Sequence, residues 1–366
     1  MASTENETLH NLNASGDGDP RFNYTVGQTV AVMIPMCTIT LMVILGNLLV
    51  IIAVLRERNL RTPQNFFLLS LAFVDFLVGI FILPLNMTNQ LHGWRFPFGL
   101  TFCKVYLITD FTLCATSIYH LLAVAEDRYR IVTQGVQYIQ GRSFFDVLAK
   151  LLVIYILSLW IASAPVLGWG GGSWLKDYET SHHCVMLDDP GFALFASFGC
   201  FWFPASIMLF YYVRIYNTLS GKLRLRRPTI GERSQSSEQL GPESSGSRKT
   251  LNSVATTDDA RKMSSFSVNV RDFMAQKRKF SLSREKKTAK TLGIVMGAFI
   301  ACWLPFTLML NYYMICGFAR VECPLFPMNV FEFITWLGYV NSALNPIIYT
   351  VFNIEFRQAF QKILHL

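Results

Sequence analysis

The sequence is short of charge. Only 15% of its 366 residues are Asp, Glu, Lys or Arg, against about 25% in an ordinary soluble domain, while 52% are hydrophobic. That balance argues against a soluble domain and for a membrane protein. The apolar stretches also lack a His cluster at metal-ligand spacing and a phosphate-cradling glycine loop, which argues against a membrane enzyme. No paired repeat with broken helices appears, as a transporter would show. The first 28 residues carry Glu5, Glu7, Asp17 and Asp19 but no apolar core. No cleavable signal peptide is expected there, so the first apolar stretch is expected to direct insertion itself.

What is present is a set of seven apolar stretches, roughly 29–55, 64–88, 101–126, 147–168, 191–216, 291–315 and 327–351, each long enough to span a bilayer. Their backbones must hydrogen-bond internally, and they are too long for barrel strands, so the fold class is an all-α membrane protein, a seven-helix bundle. Basic residues crowd the connections after span one (Arg56, Arg58, Arg61), span three (Arg128, Arg130, Arg142) and span five (Lys222, Arg224, Arg226, Arg227). These connections face the cytoplasm and the N-terminus faces outside. The net charge of +8 is then mostly a topological signal, and no nucleic-acid partner is expected. Asn6, Asn13 and Asn23 open glycosylation triplets in the exterior tail 1–28. Asn86 opens another, but inside the second span, beyond the reach of that machinery. Cys103 and Cys184 both fall outside, where disulfides persist, and a bridge between them would tie a loop over the mouth of the third helix. Cys316 and Cys323 could close a second, small ring; sequence alone does not fix connectivity. Cys37, Cys114, Cys200 and Cys302 lie within spans and read first as packing residues.

The third span carries the sharpest signal. An aspartate within about 20 apolar residues costs several kcal/mol unless it meets a cation or water, so Asp110 needs a partner. Arg128 lies 18 positions on, five turns away on the same face and roughly 27 Å along the axis. One helix thus holds an anion near one membrane surface and a cation near the other. A protonated amine could neutralise Asp110, and Trp336 and Tyr339, three apart on one face of the seventh span, could add cation–π attraction. The second span adds Asp75, with Ser117, Asn341, Ser342 and Asn345 as candidate neighbours. Such oxygens suit a small hard cation, a sodium or proton site, or else a water-filled polar network. No other metal or cofactor is expected. The fourth span is read as holding Trp160 and Pro165. Pro204, Pro305 and Pro346 kink the fifth, sixth and seventh, so the bundle can swing at its cytoplasmic end.

Taken in order, Gly46-Asn47, Leu71, Asp75, Cys103, Asp127-Arg128-Tyr129, Trp160, Pro204, Cys302-Trp303-Leu304-Pro305 and Asn345-Pro346 with Tyr349 carry a close resemblance to rhodopsin-like G-protein-coupled receptors. Within that family the chain resembles the biogenic-amine receptors, because Asp110 stands where they bind the ligand ammonium. The resemblance implies a ligand site of Asp110, Phe111, Cys114, Ser197, Cys200, Trp303, Phe306, Thr307, Trp336 and Tyr339. It implies a switch in which Asp127 and Glu285 hold Arg128 at rest, Tyr212 and Tyr349 receive it, and Ile118, Pro204 and Phe299 repack between. A heterotrimeric G protein, arrestin and receptor kinases are the implied partners, at the plasma membrane. Retinal would need a lysine where Tyr339 stands. The fifth helix offers fewer serines than catecholamine receptors use and no acid for histamine. Acetylcholine is disfavoured by Phe111, Phe306 and Thr335, which stand where muscarinic receptors have tyrosines. Serotonin, tyramine, octopamine or another small aryl amine remain, and the alternative is a receptor of this fold for a peptide or lipid. One departure is Gly135, where relatives often have proline.

Domain boundaries follow. Spans one to five occupy 29–222 and spans six and seven occupy 284–351. Between them, 223–283 is Ser-, Gly- and charge-rich and reads as a disordered third inner loop. Ser264 and Ser281 follow basic pairs, as basophilic kinases prefer. Residues 352–366 form an amphipathic eighth helix and short tail, with Ile354, Phe356, Phe360 and Leu364 expected to face lipid.

Overall fold

The computed structural model describes residues 25–169, 178–179, 182–184, 189–224, 290–291, 293–321, 324 and 326–365. The expectations for Asn6, Asn13, Asn23, Cys323, Glu285 and the loop 223–283, apart from its first two residues, lie outside them. Among the described residues, six helices are long and apolar enough to cross a bilayer: Val26–Arg56, Pro63–Leu91, Leu100–Gln134, Phe144–Ser163, Pro190–Gly221 and Gly293–Ala319. Met328–Phe352, 25 residues long, is the seventh. Its Glu332, Asn341, Ser342 and Asn345 make it more polar, and all four are buried in the bundle rather than offered to lipid. Ile354–Leu364 follows as the eighth helix.

The first span begins at a capping box. The Thr25 hydroxyl accepts from the Gln28 backbone N–H, and the Gln28 side chain accepts from the Thr25 backbone. The third span is central, packing against the second, fourth and fifth. It runs past the expected end at 126 because its charges are paired: Glu126 meets Arg130 at 2.6 Å, one turn on, and Lys150 at 2.7 Å. The fourth span is shorter than expected. It stops at Ser163, so Pro165 lies in the turn beyond it, where its missing N–H costs no helical bond. Trp160 stays on that helix and faces outward, 59% exposed.

Proline acts in the second helix as well as the later ones. Pro84 and Pro204 each follow a wide turn of π-helix, Val78–Ile82 and Phe198–Trp202. The proline ring would clash with the carbonyl four residues back, and in both helices that carbonyl belongs to the wide turn, which takes up the strain. Between the helices Phe299 is fully buried, in one cluster with Ile118, Phe201 and Met208.

Gly46 and Asn47 set the contact of helices one and seven. A Cβ at Gly46 would come within 3.0 Å of the Pro346 ring. Asn47 donates to the carbonyls of Val43 at 2.9 Å and Ser342 at 3.1 Å. Gly46→Val should therefore cost about 1–3 kcal/mol through overpacking, read as a lower thermal midpoint of the detergent-solubilised protein. An unchanged midpoint would mean that the two helices do not meet closely here.

The eighth helix corrects one expectation. Ile354 and Leu364 are exposed, but Phe356 and Phe360 turn inward. They pack with Tyr349, Val54 and Leu60, so this face anchors the helix to the bundle rather than to lipid.

Candidate ligand site and signalling face

At the end of the bundle that carries the disulfide, a cavity of about 200 Å³ lies among helices two, three, five, six and seven. Asp110 is on its wall. Its Oδ2 accepts from the Tyr339 hydroxyl at 3.0 Å and its Oδ1 from the Cys114 thiol at 3.5 Å. Among the described residues no cationic side chain pairs with it. A carboxylate has about four acceptor positions, so lone pairs remain for a donor arriving through the cavity. Phe111, Cys114, Ser197, Cys200, Trp303, Phe306, Thr307 and Tyr339 all line the same space. Trp303 and Phe306 meet edge to face, with ring centroids 6.1 Å apart. Cys114 and Cys200 thus line the cavity as well as packing against the core, as expected of them in sequence. Cys302 is buried, and Cys37 is exposed on the outer surface.

Trp336 is not part of the wall. Its indole N–H donates to Gln90 Oε1 at 3.0 Å, holding the ring behind Tyr339. Sharing a face with Tyr339 put it on the correct side of the helix, but helix two takes its polar edge. Phe331, Thr335 and, from the loop after helix two, Trp94 line that part instead. At the other end Ser197 donates to Asn311 Oδ1 at 2.7 Å, a bridge from helix five to helix six. The legible signal for it was a lone amide in the apolar sixth span. Over the mouth, Cys103 is bonded to Cys184 with Cα atoms 5.8 Å apart, and Phe96 N–H donates to the His182 carbonyl. Cys316 is also disulfide-bonded. A separate hollow of about 640 Å³, lined by His92, Arg95 and His182 among others, offers no carboxylate to a cation among the described residues.

Deeper in the bundle Asp75 is completely buried. Ser117 and Ser342 donate to its Oδ1 at 2.9 and 2.8 Å, and Asn345 donates to its Oδ2 at 2.8 Å. Asn341 is buried nearby on helix seven but is not one of its hydrogen-bond partners.

The opposite end holds the triplet Asp127-Arg128-Tyr129. Asp127 accepts from Arg142 Nη1 at 2.5 Å and from the Tyr138 hydroxyl at 3.0 Å. Both of these partners come from the segment that follows helix three. Burial, and then Asp127 itself, pushes the Tyr138 phenol up to about 12, so it is protonated and donates at neutral pH. Gly135 makes this possible. Its φ of +63° and ψ of −133° suit glycine and are closed to proline, whose φ is fixed near −65°. The departure noted in sequence thus gives the loop its own path, and the loop returns Tyr138 and Arg142 to helix three. Tyr129 stacks on Tyr211 at 5.1 Å. Tyr212 lies against Gly293 of helix six, while Tyr349 sits in the separate cluster with Phe356, within electrostatic reach of Arg128.

Comparison with known proteins agrees with this architecture. The profile of the 7 transmembrane receptor (rhodopsin family) matches residues 46–349. A probable G-protein coupled receptor of Amphibalanus amphitrite is 37% identical over 99% of this chain and 97% of its own length. The 5-hydroxytryptamine receptor 1D of Homo sapiens is 34% identical over 98% of this chain and 94% of its own. Tyramine receptor 1 of Locusta migratoria is 31% identical over 92% and 89%. Seven packed helices, a mouth tied by Cys103–Cys184 and a full-length match together place this chain in the rhodopsin family of seven-transmembrane receptors, multi-pass proteins of the plasma membrane.

Proposed function

We propose that this receptor binds a small protonated aryl amine at Asp110 and answers by activating a heterotrimeric G protein. The observation that carries the reading is Asp110 itself: a carboxylate on the wall of a mostly apolar cavity, held by Tyr339 and Cys114, with no cationic side chain against it among the described residues. An ammonium placed there gains a charge-assisted hydrogen bond in a site of low dielectric. Trp303, Phe306 and Tyr339 offer ring faces for it, each adding about 0.5–2 kcal/mol. The volume supports a small ligand, since pockets for drug-sized molecules run to about 300–1,000 Å³. That argues against a peptide. Ser197 spends its proton on Asn311 and keeps its lone pairs, so a ring hydroxyl of the ligand would donate to it. Relatives named for tyramine and for 5-hydroxytryptamine fit that chemistry. The test pairs each amine with its neutral alcohol analogue, tyramine against tyrosol. Loss of the charge should cost more than about a hundredfold in affinity, and equal binding of the pair would defeat the reading.

Tyr339 has a smaller part, orienting the carboxylate. A hydrogen bond to a charged group contributes about 1.5–3 kcal/mol, so Tyr339→Phe should weaken amine binding about tenfold or more. Competition binding on membranes would show it, and unchanged affinity would remove Tyr339 from the site.

The remaining assignments rest on sequence and chemistry. Basic connections support an exterior N-terminus with glycans at Asn6, Asn13 and Asn23, and an interior, disordered loop 223–283. The signalling face formed by Asp127, Arg128, Tyr129 and the ends of helices five and six would meet the G protein, then receptor kinases and arrestin. Glu285 is assigned to hold Arg128 at rest, with release on outward movement of helix six. Asp75 with Ser117 and Ser342 fits a sodium ion in donor type, because both hydroxyls keep lone pairs after donating to the carboxylate. Such an ion would supply a counter-charge to Asp75.

A further inference from the structure

Helix six meets helix five closely at three levels, and at two of them it presents a glycine. At the disulfide end a Cβ on Gly317 would lie 2.6 Å from the Pro190 ring. Further in, Asn311 accepts from Ser197 at 2.7 Å. At the opposite end the Tyr212 ring lies across Gly293, where a Cβ would come within 2.7 Å of its Cε2, 2.9 Å of its hydroxyl oxygen and 3.0 Å of its Cζ. An alanine has no room there unless the ring or the helix moves.

Pro305 divides these contacts. It has no N–H to offer the carbonyl four residues back, so helix six bends most easily there. Asn311 and Gly317 lie on the disulfide side of it, and Gly293 lies on the other. The first two contacts can therefore hold while the inner half of the helix swings, and the contact that opens is the one at Gly293. Among the described residues no hydrogen bond or ring stacking fixes Tyr212. Its place rests on Gly293 and on a cluster that includes Val295, Met296 and Phe299 of the same helix. A glycine within a helix weakens it relative to alanine. Here the absent methyl is the space that the ring fills. Gly297, one turn on, is different: it is exposed, and a Cβ there would meet nothing within 4 Å.

We propose that Gly293 is a positioning residue for signalling. The slot it leaves holds the Tyr212 ring and keeps the inner half of helix six against helix five, and a side chain there favours the swung arrangement that the G protein meets. This rests on the movement of helix six in the reading above, and the test separates the two. Gly293→Ala is compared with Gly297→Ala, which adds the same methyl and the same helix propensity to the same helix without the contact. Spin labels on Thr133→Cys and Lys290→Cys, both exposed, with the exposed Cys37 changed to Ser, read the separation of helices three and six without ligand or G protein. Gly293→Ala should lengthen that distance and Gly297→Ala should not. Ligand-free nucleotide exchange by a reconstituted heterotrimeric G protein should rise about fivefold or more in Gly293→Ala and match wild type in Gly297→Ala. Affinity for whichever of tyramine, octopamine and serotonin activates wild type should rise with it, whereas a merely loosened fold would lower both. In a Tyr212→Leu background, where the slot is emptied, adding Gly293→Ala should leave the distance unchanged. An unchanged distance in Gly293→Ala would overturn the proposal, as would equal lengthening in both glycine variants or full lengthening in the Tyr212→Leu background. Loss of expression in Gly293→Ala but not in Gly297→Ala would overturn it too, because the methyl would then break the fold instead of shifting its balance. A lengthened distance with exchange unchanged would defeat the reading that movement of helix six activates the G protein, and the signalling role of the slot with it.

Discussion

Asp110→Asn should abolish amine binding while leaving the receptor at the cell surface. The amide keeps the shape of the carboxylate and can still accept from Tyr339, so the cavity survives. What it loses is the charge opposite an ammonium that has left water. Breaking a buried pair by removing one partner costs about 3–5 kcal/mol, a few hundredfold or more in affinity. Equilibrium binding on membranes with matched surface expression is the measurement. Unchanged amine affinity in the mutant would shift the account to a ligand without a cation, a peptide or lipid.

Arg142→Ala should be the most damaging change on the signalling face. Asp127 and Arg142 are nearly excluded from solvent, at 2% and 9% side-chain exposure. Removing the guanidinium leaves a buried carboxylate with Tyr138 as its donor. The cost should fall near the lower end of about 3–5 kcal/mol because that donor remains. The contact is made through Nη1 alone, with Asp127 Oδ2 and Arg142 Nε left without partners, which points the same way. The thermal midpoint of the purified receptor should drop by several degrees. Adding Asp127→Asn to the mutant should recover most of the loss, because no buried charge is then stranded. Strictly additive losses in the double mutant would mean that the two residues do not act as a pair.

How much of this was legible beforehand depends on the kind of signal. Asp110 and Asp75 announced themselves because an acid in an apolar run is costly without a partner. The third span's axial layout follows from helical rise; sidedness puts Cys103 and Cys184 on one face of the membrane without fixing their pairing, which the structure supplies. Residues whose role depends on which neighbour takes a hydrogen bond were less readable. Trp336 shares a face with Tyr339, yet Gln90 captures its indole, and periodicity within one helix cannot report a partner on another. Arg142 looked like a topological charge in a basic loop. Its pairing with Asp127 needed the turn at Gly135, where positive φ sends the chain back to helix three. Pro165 reads as part of the fourth span because apolarity continues past the last helical turn, though proline favours the end of a helix over its interior. Phe356 and Phe360 read in sequence as lipid-facing because an amphipathic face does not say whether protein or bilayer covers it; here protein does.

The central claim, that a protonated amine at Asp110 drives G-protein activation, is tested most directly by nucleotide exchange. Wild type and Asp110→Asn are reconstituted in equal amounts with a heterotrimeric G protein and exposed to tyramine, octopamine and serotonin. At least one of these should accelerate exchange saturably in wild type and fail to do so in the mutant. Equal acceleration in both proteins would contradict it.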